Sequence, residues 1–348
     1  MIYFKKGVYM ESPEYLRTSL AAAITMGFKN GRFFRDAELY CMNLLITYKD
    51  GCTANCAYCG LSKIRPGEYE DKSFIRVSWP LYKTDEIIER IKENERIKRV
   101  CISMITRRKA VEDTIEIAKR IRKKSDVPIS FLISPTVVIE DDFKLFKEAG
   151  ADKIGIAIDA ATEELFEKYR GKGVNGPHKW KRYWECFREA VKYFGKGNVG
   201  SHFIVGLGER EYEMLKAIQD IKDLGGETHL FSFFPEEGSI LENHNRPPIP
   251  QYRRIQMGRY LIDNDISHLK YMKFDGNGRV LDFGIKIDDF VLKGEPFMTS
   301  GCKGKDGRVA CNRPFANEKP SEELRNFPFL PEKEDIEKIM EEMWKYTM

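Results

Sequence analysis

Three cysteines, Cys52, Cys56 and Cys59, lie within the segment GCTANCAYCG, directly after the apolar run MNLLITY. Thiolates at this spacing can bind three irons of an iron–sulfur cluster and leave the fourth iron without a protein ligand. A small molecule can then bind that iron and receive an electron. The alternative is half of a zinc site. Structural zinc is usually closed by four ligands, however, and no His or Cys follows within thirty residues of Cys59.

A second pair of cysteines, Cys302 and Cys311, flanks the glycine-rich segment GKDGRVA. A short disulfide or part of a zinc site is one interpretation. A second iron–sulfur cluster, completed by distant ligands, is the other. Cys41, just before the first predicted strand, is the candidate third ligand, although a buried thiol in the core is an equal alternative. Ser300 or another oxygen ligand can complete the set.

The overall composition excludes several classes of protein. The 348 residues are 42% hydrophobic and 32% charged, and the net charge of +4 does not indicate nucleic-acid binding. The longest apolar runs are too short to span a membrane, and the first residues lack the apolar core of a signal peptide. A cytoplasmic location is therefore expected. In that compartment the eight cysteines are expected to be metal ligands or buried thiols before disulfides.

Apolar segments of strand length alternate with amphipathic segments of helix length along most of the chain. This pattern predicts an α/β fold, a complete or partial (β/α) barrel whose functional face lies at the carboxyl ends of the strands. The first predicted strand runs into the cysteine loop, and the following ones are 98–106, 127–135, 151–159, 198–208, 228–235 and 268–274. The predicted helices are 13–28, 108–124, 140–150, 162–170, 178–195, 209–226, 249–265 and 332–346. The predicted domains are an N-terminal helical extension (1–40), the barrel (41–274) and a C-terminal extension with the second cluster and a final helix (275–348).

The CxxxCxxC spacing, with Tyr58 just before the last cysteine, resembles the signature of the radical S-adenosylmethionine (SAM) superfamily. The resemblance implies a [4Fe-4S] cluster held by the three cysteines, with SAM bound to its open iron. The segment FIVGLGE is similar to the adenine-contacting strand end of the biotin synthase branch of that superfamily. The cofactor-binding residues that this similarity implies in the segment are Val205, Gly206, Gly208 and Glu209. Asp159 matches the ribose-binding carboxylate of that branch, and Arg182 can pair with the SAM carboxylate.

Each of these positions also has a structural interpretation. A Gly-x-Gly pair alone is not a dinucleotide fingerprint. Asp159 can cap the following helix, and Arg182 can be a solvated helix residue. Cys101 falls where biotin synthase has one ligand of its sulfur-donating cluster, but the other two matching positions are not cysteine. Cys101 is therefore expected to be a core thiol, or a ligand of the second cluster if the C-terminal segment folds in.

The tail MTSGCKGKDGRVACNRPFANEKPS resembles the C-terminus of the paired proteins of the split type of lipoyl synthase. This resemblance implies sulfur insertion into a protein-bound octanoyl chain, with an auxiliary [4Fe-4S] cluster as sulfur donor. The implied partners are a lipoyl-carrier protein or dehydrogenase subunit, a second radical SAM subunit and a small electron donor such as ferredoxin. Two alternatives stay open: a radical SAM enzyme without sulfur insertion, and a non-catalytic iron–sulfur or zinc protein that keeps the fold.

Overall fold

The computed structural model of the protein describes residues 10–74, 77–314 and 322–345. The strands are β1 (Tyr15–Thr18), β2 (Cys41–Leu45), β3 (Leu81–Lys83), β4 (Arg99–Ser103), β5 (Ile129–Ile133), β6 (Ala151–Asp159), β7 (Val199–Val205), β8 (Glu227–Ser232), β9 (Lys273–Phe274) and β10 (Val280–Asp282). The α-helices are α1 (Leu20–Thr25), α2 (Thr84–Glu93), α3 (Lys109–Arg122), α4 (Asp142–Glu148), α5 (Glu163–Tyr169), α6 (Trp180–Phe194), α7 (Glu211–Asp223), α8 (Ile249–Asp263), α9 (Asp288–Lys293) and α10 (Lys333–Met343). Of the helices in these ranges, none has the length and apolar character that a membrane crossing requires.

One sheet of eight strands, in the order β3-β1-β2-β4-β5-β6-β7-β8, forms the centre of the fold. The six strands from β2 to β8 pair in parallel, and β1 joins them antiparallel, between β2 and β3. Within the described ranges β3 and β8 are the two free ends of the sheet, so the barrel is partial. The α/β barrel fold predicted from the alternating pattern is confirmed.

The parallel strands are buried on both faces. Every residue of β2, β4 and β5 is buried, because helices cover the outer face and side chains from other strands fill the inner one. Helix α3 shows why the flanking segments are helical. Its buried residues include Val111, Ala118 and Ile121, which recur at the spacing of one helix face.

Two predicted elements differ from the structure. Residues 13–28 were expected to form one helix, but 15–18 form strand β1 and only Leu20–Thr25 is helical. Pairing with two strands outweighs the local helical pattern, and the buried Arg17 side chain donates to the carbonyls of Trp79 (2.8 Å) and Lys72 (2.5 Å). Residues 268–274 were expected to form one strand, but Leu269–Tyr271 form a 3-10 helix and only β9 is extended. Strand β9 pairs with β10 rather than with the barrel, so this hairpin crosses the predicted boundary at 274.

The C-terminal extension packs against the amino-terminal ends of the barrel strands. At β4, the Arg99 Nε donates to the carbonyl of Lys303 (2.7 Å), and at β8 the Ser300 hydroxyl donates to the carbonyl of Thr228 (3.3 Å). On the outer side, the buried Arg253 of α8 donates to the carbonyls of two residues of the extension. The segment with the second cysteine pair therefore closes the lower end of the barrel.

Candidate functional site

Within the part of the chain that the structure describes, a cavity lies at each end of the barrel. The upper cavity, of about 210 Å³, lies at the carboxyl ends of the strands, where parallel α/β folds place their functional groups. The lower cavity, of about 30 Å³, lies against the C-terminal extension. Four residues line both cavities and form the wall between them: Leu132, His202, Phe231 and Arg313.

The loop after β2 brings Cys52, Cys56 and Cys59 to the lining of the upper cavity. Its backbone is folded into tight turns, with the Cys59 amide donating to the Cys56 carbonyl (3.1 Å). The glycine that follows is required, because a Cβ at Gly60 would lie 2.3 Å from the Ser73 carbonyl oxygen. The sequence prediction that these three thiols converge on the functional face is thus matched by their positions.

Burial favours the protonated thiol at this loop. It raises the pKa of Cys56 to about 11 and that of Cys59 well above its ordinary value. A bound metal reverses this preference, because coordination deprotonates a thiol. Buried thiols facing a cavity therefore suit a metal cluster, with Cys52, Cys56 and Cys59 as its ligands. Across the described residues, no three His, Cys, Asp or Glu side chains are arranged to hold a single metal ion, so ligation stays a prediction.

Asp159, at the end of β6, lines the same cavity. Its Oδ2 accepts a hydrogen bond from the Tyr58 hydroxyl (2.5 Å) and lies 3.1 Å from the Arg170 guanidinium. The alternative role as a helix cap is not observed, because the Thr162 hydroxyl caps α5 by accepting from the Leu165 amide (3.3 Å). Asp159 also has a left-handed backbone, with φ of 66°, which is rare for residues other than glycine and clusters at functional sites.

Sequence reasoning missed a polar network behind Asp159. Arg170, just after α5, donates to the hydroxyl of Tyr183 (3.1 Å), which lies 3.0 Å from the Nδ1 of His178. Burial lowers the pKa of His178 well below its ordinary value, with a further contribution from the charge of Arg170, so the imidazole is neutral. No local motif marks Arg170 as functional, since a single arginine at a helix end is usually solvated.

Arg182 does not lie where its predicted role requires. Its guanidinium forms two hydrogen bonds to Glu189 (2.8 and 2.9 Å) and one to the carbonyl of Val138 (3.0 Å). It is not among the described residues that line the upper cavity. The structure therefore gives no support to a cofactor-binding role for Arg182, because its guanidinium is paired with Glu189, two turns further along α6. Arg170, in contrast, does line the upper cavity, and the residue before it is bonded to the cysteine loop.

The turn after β7 has its own internal structure. Glu209 accepts hydrogen bonds from the amides of Gly206 (2.7 Å) and Leu207 (3.0 Å), and burial raises its pKa to about 7. Gly206 and Gly208 have φ of 107° and 118°, which glycine adopts readily. Among the described lining residues, Ile204 faces the upper cavity, while Val205, Gly206, Gly208 and Glu209 do not. Their cofactor-binding roles stay predictions, and the turn fixes the end of β7.

Four thiols meet at the lower cavity. Cys101, Cys302 and Cys311 line it, and Cys41 packs in a buried cluster with Cys101 and Cys311. The Asn43 Nδ2 lies 3.9 Å from the Cys41 Sγ and 3.8 Å from the Cys311 Sγ. All four are free thiols. The structure thus brings together the three predicted ligands of the second cluster and adds Cys101, because the C-terminal segment folds in.

The lower thiols differ in their protonation. A hydrogen bond from Cys41 and the nearby guanidinium of Arg313 lower the pKa of Cys311 to about 5, despite burial. Burial raises the pKa of Cys302 to about 12 and that of Cys41 well above its ordinary value. The site therefore stabilises negative charge at Cys311, whereas burial keeps Cys302 and Cys41 protonated in the absence of a metal. Because coordination deprotonates a thiol, the four cysteines could bind a cluster as thiolates, and this ligation stays a prediction.

The two cavities adjoin each other along the barrel. Cys101 of β4 lines the lower cavity, and Met104 and Ile105, which follow β4, line the upper one. Because the same four side chains line both cavities, the wall between them is one side-chain layer thick.

Comparison with known proteins agrees with this architecture. The family model described as the radical SAM superfamily matches residues 46–221. A biotin synthase from Persephonella marina is 24% identical over 223 residues, which are 63% of this chain and 61% of that protein. The crystal structure of HydG, a maturase of the [FeFe]-hydrogenase, has a TM-score of 0.51 at 14% identity, covering 71% of this chain and 53% of that one.

The match to the biotin synthase covers less than two thirds of that protein, and the HydG match shows the fold alone. The family model, in contrast, spans half of the chain and includes the three-cysteine loop, Asp159 and strands β4 to β7. The resemblance inferred from the CxxxCxxC motif is therefore confirmed, including the relation to biotin synthase. The chain belongs to the radical SAM superfamily.

Proposed function

We propose that the protein is a radical SAM enzyme that inserts sulfur into an unactivated carbon. The observation that carries this proposal is the presence of two thiol sites in one barrel, separated by a single layer of side chains. When bound, a [4Fe-4S] cluster and SAM supply a 5′-deoxyadenosyl radical that removes hydrogen from carbon, and a second cluster supplies sulfide. The protein holds these sites at a fixed distance and excludes water from the space between them.

The chain's own residues have separate tasks in this proposal. Cys52, Cys56 and Cys59 would hold the first cluster. Asp159 would accept hydrogen bonds from the SAM ribose, since among the described residues no donor reaches its Oδ1, while Oδ2 is occupied by Tyr58 and Arg170. The second cluster would be held by the lower cysteines, with Arg313 stabilising the negative charge at Cys311.

The predominantly apolar wall of the upper cavity supports a substrate with an alkyl chain. It is lined by Leu45, Met104, Ile204 and Phe233. Binding of a hydrocarbon chain to such a surface is favourable, because apolar area of both is removed from water. We propose an octanoyl chain on a lysine of a lipoyl-carrier protein or dehydrogenase subunit. A second radical SAM subunit and a ferredoxin-like electron donor are further proposed partners. These substrate and partner assignments rest on the resemblance of the C-terminal tail to split lipoyl synthases.

The test is the anaerobic iron and sulfide content of three proteins. The wild type is expected to bind about eight irons, and the triple variant Cys52→Ala/Cys56→Ala/Cys59→Ala about four. The double variant Cys302→Ala/Cys311→Ala is expected to keep about four irons and to cleave SAM without forming a sulfur-containing product. A triple variant that binds no iron would refute the second cluster, and zinc in the wild type would refute both.

One observation favours a different outcome of the same radical chemistry. Four thiols at the lower site can close a cluster completely, and a closed cluster is suited to electron transfer rather than sulfur donation. The protein would then be a mutase, methylase or cofactor maturase of the superfamily. Product analysis separates the two functions: both form methionine and 5′-deoxyadenosine, but only sulfur insertion yields a product that contains sulfur from the protein. Failure of the reduced protein to cleave SAM would favour a non-catalytic role.

A further inference from the structure

We propose that Arg170 is a positioning residue of the radical SAM site. Its guanidinium fixes the Cys56 loop against Asp159 and raises the reduction potential of the cluster that this loop would hold. The inference rests on the proposed function, because it requires a cluster at the three upper cysteines. Arg170 would thus influence the reduction potential of the cluster without being one of its ligands.

The position of Arg170 is fixed from several sides. The residue is only 6% exposed. Its Nη1 donates to the Ile158 carbonyl (3.0 Å), and its Nη2 donates to the Tyr183 hydroxyl (3.1 Å). The guanidinium carbon lies 4.8 Å from the ring centroid of Tyr183 and 5.2 Å from that of Phe166. A buried guanidinium that packs against two aromatic rings and donates to backbone carbonyls has little freedom to move away.

The cysteine loop is attached to the same point. The amide of Ala57 donates to the carbonyl of Tyr169 (2.8 Å), the residue just before Arg170. The Tyr58 hydroxyl and the Arg170 guanidinium both contact the Oδ2 of Asp159. The loop, the end of β6 and the end of α5 are therefore joined through one carboxylate and one cation. Loss of the cation would leave a buried carboxylate facing the thiols.

The charge of Arg170 lies beside the cysteine loop. Arg170 and Cys56 line the same cavity, and the loop is bonded through Ala57 to the residue next to Arg170. Hydrogen bonds to cluster sulfurs and nearby charge set the potential of iron–sulfur clusters. A cation favours the more negative, reduced state, so Arg170 makes the cluster easier to reduce.

One donor of Arg170 remains for a bound group. The Nε is buried and has no hydrogen-bond partner among the described residues, although Arg170 lines the upper cavity. An unpaired buried N–H costs free energy that a bound acceptor removes. This orphaned donor is a second observation, independent of the ion pair with Asp159, that points to an anionic group at this position.

The test compares Arg170→Gln and Arg170→Lys with the wild type and with Arg182→Gln as a matched control. Arg182 is an arginine of the neighbouring helix that is paired with a glutamate and lies outside the cavity lining. Each protein is reconstituted anaerobically and titrated with a reductant while electron paramagnetic resonance is recorded. Addition of SAM identifies the signal of the cluster with the open iron. Iron content and thermal unfolding of each variant are measured in parallel.

At a fixed solution potential, Arg170→Gln is expected to lower the reduced-to-oxidised ratio of this cluster about tenfold, which is about 59 mV for one electron. Arg170→Lys, which keeps the charge, is expected to stay within about threefold of the wild type, and Arg182→Gln is expected to match it. An unchanged potential in Arg170→Gln would overturn the inference.

If Arg170→Gln takes up no iron, Arg170→Lys provides the test. A tenfold change in the reduced-to-oxidised ratio of the cluster in that variant would show that the charge at position 170 does not set the potential. A wild type without a SAM-sensitive signal would refute the proposed function itself, and with it this inference.

Discussion

Gly301→Ala tests whether the C-terminal segment supplies ligands to the lower site. An ideal Cβ at Gly301 would lie 2.0 Å from the carbonyl oxygen of Cys311, 2.9 Å from its carbonyl carbon and 3.0 Å from its Cβ. The φ of Gly301 lies outside the left-handed region, so the substitution adds a steric conflict without backbone strain at position 301. The substitution therefore perturbs only the close contact between Gly301 and Cys311.

The size of the displacement follows from these distances. Ordinary van der Waals contact begins at 3.4 Å, so the Cys311 carbonyl oxygen must move by about 1.4 Å. Cys311 cannot move alone, because its amide donates to the Cys302 carbonyl (3.1 Å). Metal–ligand distances tolerate about 0.2 Å, so a shift of this size removes at least one ligand. The steric cost to the free energy of unfolding is roughly 1–3 kcal/mol.

The assay is the iron and sulfide content of the anaerobically purified variant, together with SAM cleavage. Gly301→Ala is expected to lose about four irons, to retain cleavage of SAM to 5′-deoxyadenosine and to form no sulfur-containing product. Gly276→Ala is the matched control, because nothing lies within 4 Å of a Cβ at that glycine. A Gly301→Ala protein with the full iron content and unchanged thermal stability would refute the close-approach argument.

Three further predictions follow from the structure. Arg99→Met is expected to lower the free energy of unfolding by about 2–3 kcal/mol, because a buried charged donor to the C-terminal extension is lost. Asp152→Asn weakens only the half-exposed ion pair and is expected to lower it by less than about 1 kcal/mol. Equal losses for the two variants in urea unfolding would contradict this prediction. In metal-free protein, iodoacetamide should label Cys311 before Cys186, since the pKa of Cys311 is about 5 while burial raises that of Cys186 to about 12. The labelling rate of Cys311, measured by mass spectrometry, should be constant from about pH 6 to 8 and fall about tenfold per pH unit below about pH 5, as the thiolate is protonated. A labelling rate that still rises above about pH 7 would contradict a low pKa for Cys311. Asp159→Asn should weaken SAM binding about tenfold in anaerobic equilibrium dialysis, a loss of about 1.4 kcal/mol, and an unchanged affinity would exclude a ribose contact.

The local pattern of the chain was enough to predict most of the fold. Continuous apolar segments predicted buried parallel strands, and amphipathic segments such as α3 predicted the covering helices, because burial on one face or two leaves a clear period in the sequence. The cysteine loop could also be predicted, since three ligands for one cluster lie within eight residues. The strand β1 could not, because its pairing with two distant strands and the contacts of Arg17 depend on tertiary structure.

The sequence alone determined the family of the chain and the presence of two groups of cysteines. Tertiary structure decided which residues join them. Cys101 is 201 positions before Cys302 in the chain, and only the folding of the extension under the barrel places both at one cavity. Likewise, Arg170 rather than Arg182 reaches the upper cavity, because the ends of β6 and α5 direct its side chain inward. Local spacing identifies ligands that are neighbours in the chain, whereas charges and ligands from distant segments come together only through the tertiary fold.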